Sequence, residues 1–366
     1  WDLKRIRRVD LRMIGVIAVL MLISLLVIHA MGENEGNTFF TPLVKSQMMW
    51  FGLGSIIFLA CVSFDYNYLR EWNWILYGLM ILSLIGLFFV DPIQNVHRWY
   101  KLPFIGASFQ PSEYAKLIVV IALSWFLERY QGKPLLALLI VFIPFVLILK
   151  QPDLGTALVL IPITLIIFYF GNVSKTIVKI GSFFVLLGFI FLSLKFTGVI
   201  SHEGFRPYAT MVMKEYQYER LDPNTHHQRA AAIAIGVGGL TGTGFNKSEF
   251  AGGGYLPAAY TDSVFASFGE EWGFMGLTVL IGLFYALIYL AFQVALSAKD
   301  HFGRLLACGI AVYLAMHVLI SIGMMIGYLP ITGVPLVLVT YGGSSVLSTM
   351  TALGILQSIY ARRFMF

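Results

Sequence analysis

The sequence predicts an all-α, polytopic integral membrane protein, and three observations carry that prediction. Of 366 residues, 58% are hydrophobic and only 12% charged, where an ordinary soluble domain has about 25% charged residues. Mean hydropathy is +0.80. Uncharged stretches of about 20 residues, the length that crosses a bilayer, recur along the whole chain. These features exclude a soluble enzyme, a disordered tail, a secreted disulfide scaffold and a nucleic-acid binder. A transmembrane β-barrel would instead alternate over segments of roughly ten residues.

Ten spans follow, at 13–31, 46–64, 73–90, 114–127, 135–149, 154–171, 177–197, 267–297, 305–327 and 336–359. Lys4, Arg5, Arg7, Arg8 and Arg12 precede the first, which anchors that end in the cytoplasm and reads as an uncleaved first span. Alternation then assigns to the cytoplasm Arg70, Arg129, Lys133, Lys175, Lys179, Lys299, Arg304, Arg362 and Arg363, so that fourteen of the 25 Lys and Arg lie inside. The net charge of +6 is explained by this flanking pattern. An even number of spans puts both termini in the cytoplasm. The chain reads as a single membrane domain over 1–366, with a large extracytoplasmic loop, 198–266, between spans seven and eight. Cys61 and Cys308 fall inside apolar runs and read as small packing residues.

The outer segments, 91–113, 150–154, 198–266 and 328–335, hold nearly every feature that apolar packing leaves unexplained. Loops beyond about 15 residues are uncommon unless functional. The apolar, Gly-rich stretch Ala230–Leu240 is too short to span and reads as a re-entrant or interfacial helix. The glycines at 236–244 lack the Lys-Ser/Thr ending of a phosphate loop. Asp262 stands at the membrane boundary, where a carboxylate is costly to bury. It reads either as a helix cap or as a catalytic group. Glu270 and Glu271 read either as buried partners of Lys or Arg or as residues facing the outer aqueous cavity, with the structural role favoured.

Pro111, Ser112 and Glu113 suit the first turn of a helix, and Glu113 and Lys116 share one face of it. Arg98 beside Trp99 reads as an interfacial anchor or as a phosphate and sugar contact. Pro152 forces a turn after Gln151, and Asp153 suits the cap of the sixth span. Pro330, Gly333 and Pro335 stiffen the last outer loop, and Gly342-Gly343 allows a break before Ser344 and Ser345. His226 and His227 are adjacent and point apart. His202, His301 and His317 are isolated, so the histidines read as surface or interfacial residues, and no zinc site is visible.

In order, these motifs resemble the SEDS family (shape, elongation, division and sporulation), over nearly the whole chain. They are Arg98-Trp99; Phe109-Gln110-Pro111-Ser112-Glu113 with Lys116; Gln151-Pro152-Asp153-Leu154-Gly155-Thr156; and Thr261-Asp262 with Gly269-Glu270-Glu271 and Gly273. The last is Leu329-Pro330-Ile331-Thr332-Gly333-Val334-Pro335 with Tyr341-Gly342-Gly343-Ser344-Ser345. The ending Thr332-Gly333-Val334-Pro335 is similar to the family's elongation branch, whereas the division branch usually carries a Lys before that Gly. Two departures are Asn95-Val96, where Gly-Ala is usual, and Ala230, where a Gln is usual.

The resemblance implies a peptidoglycan glycosyltransferase that polymerises lipid II into glycan strands during cell elongation. It would work on the outer face of the cytoplasmic (inner) membrane of a bacterium. It implies lipid II and the nascent glycan chain as ligands, and a class B penicillin-binding protein (the transpeptidase) and other elongation-complex membrane proteins as partners. It also implies a divalent cation, Mg²⁺ or Mn²⁺, with ligands unassigned. Asp262 is then the candidate general base, and Glu113 and Lys116 the supporting charge pair. Arg98, Trp99, Gln110, Ser112, Gln151, Asp153, Arg206, Arg220, Thr261, Tyr341 and Ser344 are the candidate substrate contacts, with Arg98, Arg206 and Arg220 facing the pyrophosphate. The competing readings are a lipid II flippase and a non-catalytic scaffold for the penicillin-binding protein.

Overall fold

A computed structural model describes residues 8–32, 39–92, 96–102, 107–130, 133–196, 198–200, 202–211, 218, 222 and 225–364. Ten helices stand where the ten spans were expected. They are α1 Leu11–Met31, α2 Pro42–Ser63, α3 Tyr68–Gly86, α4 Pro111–Arg129, α5 Pro134–Lys150, α6 Leu154–Phe170 and α7 Lys175–Phe196, then α10 Val264–Ser297, α11 His301–Met325 and α12 Gly343–Ala361. Among the described residues of the long loop lie two shorter helices, α8 His202–Ala209 and α9 His226–Gly238. The latter covers most of the stretch 230–240 expected to form a short helix, and begins four residues before it. Two short strands, β1 Tyr100–Leu102 and β2 Ala107–Phe109, pair antiparallel before α4 with Tyr100 opposite Phe109; the sequence reading had no strand there.

Helix starts follow capping rules. Asp10 accepts from Arg12 N at 3.0 Å, Thr41 from Val44 N at 3.3 Å and Asp153 from Thr156 N at 3.3 Å. Pro42, Pro111 and Pro134 open α2, α4 and α5, where a missing N–H is harmless. Length and hydropathy together qualify α1, α2, α3, α7, α10 and α11 to cross a membrane. By contrast α5 and α6 are shorter, and α4 carries charge. The centre of the bundle is formed by α4, α11 and α12, which are buried along most of their length. At the periphery α7 buries only Lys195.

Two departures from regular helix shape the site. In α10 the helix breaks at Gly273, with φ +63° and ψ −166°. The segment after α9 fills that break. Thr243 N and Gly244 N donate to the carbonyls of Glu270 and Glu271 at 2.9 and 3.1 Å, while Phe274 N and Met275 N donate to Gly239 and Leu240 at 2.9 and 3.1 Å. Backbone groups freed by the kink are thus satisfied within the protein, as membrane depth requires. A Cβ on Gly273 would collide with Gly242 N and the Leu240 carbonyl.

The second departure corrects the tenth span. Residues 336–342 are apolar but not helical, and α12 starts only at Gly343. Buried polar side chains of α1 and α2 hold this stretch. Ser24 Oγ donates to Val339 O at 2.9 Å, Gln47 Nε2 to Thr340 O at 3.4 Å, and Gly342 N to Gln47 Oε1 at 3.3 Å. An apolar run reads as span whether or not its backbone is helical, which is why the boundary was placed too early.

Candidate active site

The starts of α2, α4, α10 and α12 converge at one end of the bundle around a cavity of about 480 Å³. Its wall includes Trp99, Gln110, Glu113, Thr261, Asp262, Tyr341 and Ser344, seven of the residues singled out in the sequence. Asp262 precedes Ser263, which occupies the cap position of α10. Asp262 lines the cavity one residue before that cap. Gly333 lies beneath it: a Cβ there would sit 3.6 Å from Asp262 Oδ2, and its φ of +75° suits glycine.

Glu113 and Lys116 form a fully buried pair, Lys116 Nζ donating to Glu113 Oε1 at 2.7 Å. The same ammonium donates to His317 Nε2 at 2.8 Å. The other ring nitrogen of His317, Nδ1, is 3.1 Å from the Pro335 carbonyl. A carbonyl only accepts, so Nδ1 carries the hydrogen and Nε2 offers the lone pair that Lys116 needs. His317 is buried and belongs to this relay, which corrects the reading of it as a surface or interfacial histidine. Glu113 Oε2 is buried without a hydrogen-bond partner.

Behind the wall runs a second network. Trp99 Nε1 donates to Gln110 Oε1 at 3.1 Å. Gln110 Nε2 donates to Ser112 Oγ at 3.0 Å and to Asp153 Oδ2 at 3.2 Å, and Ser112 Oγ donates to Asp153 Oδ2 at 2.9 Å. Ser344 Oγ accepts from Gln110 N and donates to Ser108 O, both at 3.1 Å. Ser112 and Asp153 are buried and orient the wall residues rather than line the cavity. Gln151 is buried too, its Nε2 donating to Leu84 O at 2.8 Å, away from the cavity. Arg98 donates through Nε to Gln151 O at 3.1 Å and through its guanidinium to Pro152 O, which joins the β1 segment to the α5–α6 turn. Arg206 lies exposed on α8, and Arg220 lies outside the described residues. None of the cavity's described lining residues is a Lys or Arg.

Glu270 and Glu271 are structural, as expected. Glu270 accepts from Phe250 N and Ala251 N, both at 2.8 Å, and Glu271 accepts from Asn246 N at 2.9 Å. They pin the loop that fills the kink. Ala230 packs in the core, and Gln228, two residues before it, donates to Leu329 O at 2.9 Å. His227 on α9, which the sequence reads as a surface or interfacial histidine, instead reaches the start of α10. Its Nε2 contacts Ser263 Oγ, burial holds its pKa below the ordinary histidine value, and the charge of Asp262 acts in the opposite sense. Among the described residues no three His, Cys, Asp or Glu converge as a metal cluster.

Comparison with known proteins agrees with this architecture. The family model described as a cell cycle protein, FtsW/RodA/SpoVE, matches residues 6–364. The peptidoglycan glycosyltransferase MrdB of Escherichia coli K12 is 31% identical over 378 aligned positions, covering 97% of this chain and 94% of its own. A chain of a peptidoglycan synthase complex, solved for its coordination of polymerisation and crosslinking, superposes with a TM-score of 0.73 at 26% identity, covering 98% of this chain and 99% of that one. The rod shape determining protein RodA of Thermus thermophilus gives a TM-score of 0.71 at 25% identity, covering 98% of each chain. The chain belongs to the FtsW/RodA/SpoVE family of cell cycle proteins, the SEDS family anticipated from its motifs.

Proposed function

We propose that this chain is a peptidoglycan glycosyltransferase that polymerises lipid II into glycan strands, with Asp262 as general base. The observation that carries the reading is the single cavity in which Asp262 and Glu113 meet Trp99, Gln110, Thr261, Tyr341 and Ser344.

In the reaction, a GlcNAc 4-hydroxyl attacks the anomeric carbon of the donor sugar. Asp262 takes the hydroxyl proton as the new C–O bond forms. The bond from the anomeric carbon to the pyrophosphate breaks, and the lipid pyrophosphate leaves with the electron pair. Attack from the opposite face converts an α-linked donor into a β-linked product. Lys116 and His317 hold Glu113 in one orientation on the cavity wall.

The departing pyrophosphate needs positive charge that the described wall does not supply. Glu113 Oε2, an unpartnered carboxylate oxygen, is the group that would hold a Mg²⁺ or Mn²⁺ ion. Mg²⁺ is ordinarily held by one or two carboxylates together with substrate phosphates. When bound, such an ion would neutralise charge on the leaving group. The polyprenyl tail would follow the apolar groove of about 500 Å³ between α1 and α2, lined by Met21, Leu25, Met48, Phe51 and Phe58. Met49 and Trp50 of the same α2 turn already face the cavity.

The distribution of basic residues supports an outward-facing cavity, and the family resemblance supports the cytoplasmic membrane of a bacterium as its site. Thr332-Gly333-Val334-Pro335 favours the elongation branch. The partner is a class B penicillin-binding protein, within a complex of other elongation membrane proteins.

Purified lipid II, presented with and without that partner and a divalent metal, tests the reading. Wild type makes long glycan strands, and Asp262→Asn loses at least about a hundredfold in rate, the scale of general-base catalysis. A chelator abolishes wild-type activity, and added Mg²⁺ or Mn²⁺ restores it. No product from folded wild type with its partner present would move the assignment to lipid II flipping or to scaffolding.

A further inference from the structure

His227 has no part in the chemistry above, yet it reaches the turn that carries the base. Two adjacent residues of α9 bind two different segments that lead into the cavity wall. Gln228 Nε2 donates to Leu329 O, at the head of the segment that passes beneath Asp262 at Gly333. His227 Nε2 lies 2.5 Å from the Oγ of Ser263, the residue after Asp262.

The direction of this second bond follows from the neighbours. Ser263 is fully buried, and its hydroxyl donates to the carbonyl of Pro257 at 2.8 Å. A hydroxyl has one hydrogen and a carbonyl has none to return. The His227 contact therefore runs from Nε2–H to Oγ. In the neutral ring, which burial favours, this bond also selects the tautomer.

The turn needs such an anchor. Ala258 within it has a φ of +52°, a left-handed conformation that costs an L-residue on the order of 1–2 kcal/mol. Strained backbone persists only where surrounding contacts over-determine it. Ser263 N and Thr261 N both donate to Ala258 O at 3.0 Å, and Ser267 Oγ to Ala259 O at 2.7 Å. Those bonds close the turn on itself and on α10. The bond from His227 comes instead from a separate element, α9.

We propose that His227 is a positioning residue for glycosyl transfer: through Ser263 Oγ it holds the 257–263 turn so that the Asp262 carboxylate meets the acceptor hydroxyl. The proposal rests on the reading of Asp262 as general base. It assigns His227 no proton transfer of its own.

The test measures lipid II polymerisation by the full chain with its penicillin-binding protein, per folded molecule. His227→Phe keeps a ring and removes the donor; Ser263→Ala removes the acceptor with little change of volume. Each is expected to lower kcat roughly tenfold or more, the scale of a base misplaced by a fraction of an ångström, with KM for lipid II within about twofold. The double variant falls no further than Ser263→Ala alone, because that change removes the His227 bond together with the bond to Pro257 O, and His227→Phe then has nothing left to break. His227→Gln restores an N–H donor and regains most of kcat, which a role in packing alone would not predict. Wild-type kcat in Ser263→Ala and His227→Phe, beside an inactive Asp262→Asn, would overturn the positioning role alone. Full activity in Asp262→Asn would overturn the base assignment and this proposal with it.

Discussion

Lys116 is the residue on which the site's electrostatics turn. Its ammonium is buried and bound on one side by Glu113 and on the other by His317, with the Tyr313 ring 5.5 Å away. Two buried charges that neutralise each other add little net stability, but removing one strands the other. Lys116→Met therefore costs about 3–5 kcal/mol. It would be read as a lowered melting temperature of the purified protein and as lost polymerisation. The pair was legible in the sequence because Glu113 and Lys116 are three residues apart on one helix. His317 was not, since its partner Lys116 lies 201 residues away on another helix. The cost of an unpaired polar group within a span is the signal that would have flagged it.

At the scale of elements, the kink of α10 and the late start of α12 do the positioning. Both place irregular backbone inside the bundle, and both are stabilised by donors and acceptors from other segments. Hydropathy sees neither, because an apolar run has the same composition in either geometry. Only the glycines at 273 and 342 hinted at them. Gly273→Ala meets both a left-handed φ and a collision with Gly242 and Leu240. It should displace the 239–251 loop, destabilise the protein by several kcal/mol, about the size of a large core disruption, and expose the loop to limited proteolysis. A cleavage pattern and melting temperature equal to wild type would show that the kink tolerates a side chain. The far end of α2 is closed differently. Arg362 donates to the carbonyls of Val62 at 3.3 Å, Ser63 at 3.2 Å and Ser358 at 3.0 Å. Arg362→Ala leaves buried carbonyls unpaired and should cost about 1–3 kcal/mol for each one not rescued by water, measured by thermal denaturation.

Across the whole molecule, the two ends of the bundle divide chemistry from cohesion. The cavity, its carboxylates and its small hydroxyls gather where α2, α4, α10 and α12 begin. The sequence located that end from motif placement alone, while the segment holding Arg220 lies outside the described residues. At the opposite end, the polar groups bind helices to one another. Asp300 accepts from Tyr66 OH at 2.7 Å and Gly303 N at 3.1 Å and pairs with Arg70, which also pairs with Glu128 at 3.1 Å and lies over the Phe302 ring. This one carboxylate joins the α2–α3 turn, α3 and the start of α11, and through Arg70 it reaches the end of α4. Asp300→Ala removes the cap of α11 and the partner of Arg70 together. Hydrogen bonds to a charged group are worth roughly 1.5–3 kcal/mol each, part of which solvent near this half-buried site replaces. The expected outcome is a loss of about 2–4 kcal/mol, seen as a lower melting temperature. Polymerisation per folded molecule stays at the wild-type level below that melt. If kcat fell instead in protein still fully folded, the two ends would be coupled through the central helices α4 and α11, and the division between them would not hold.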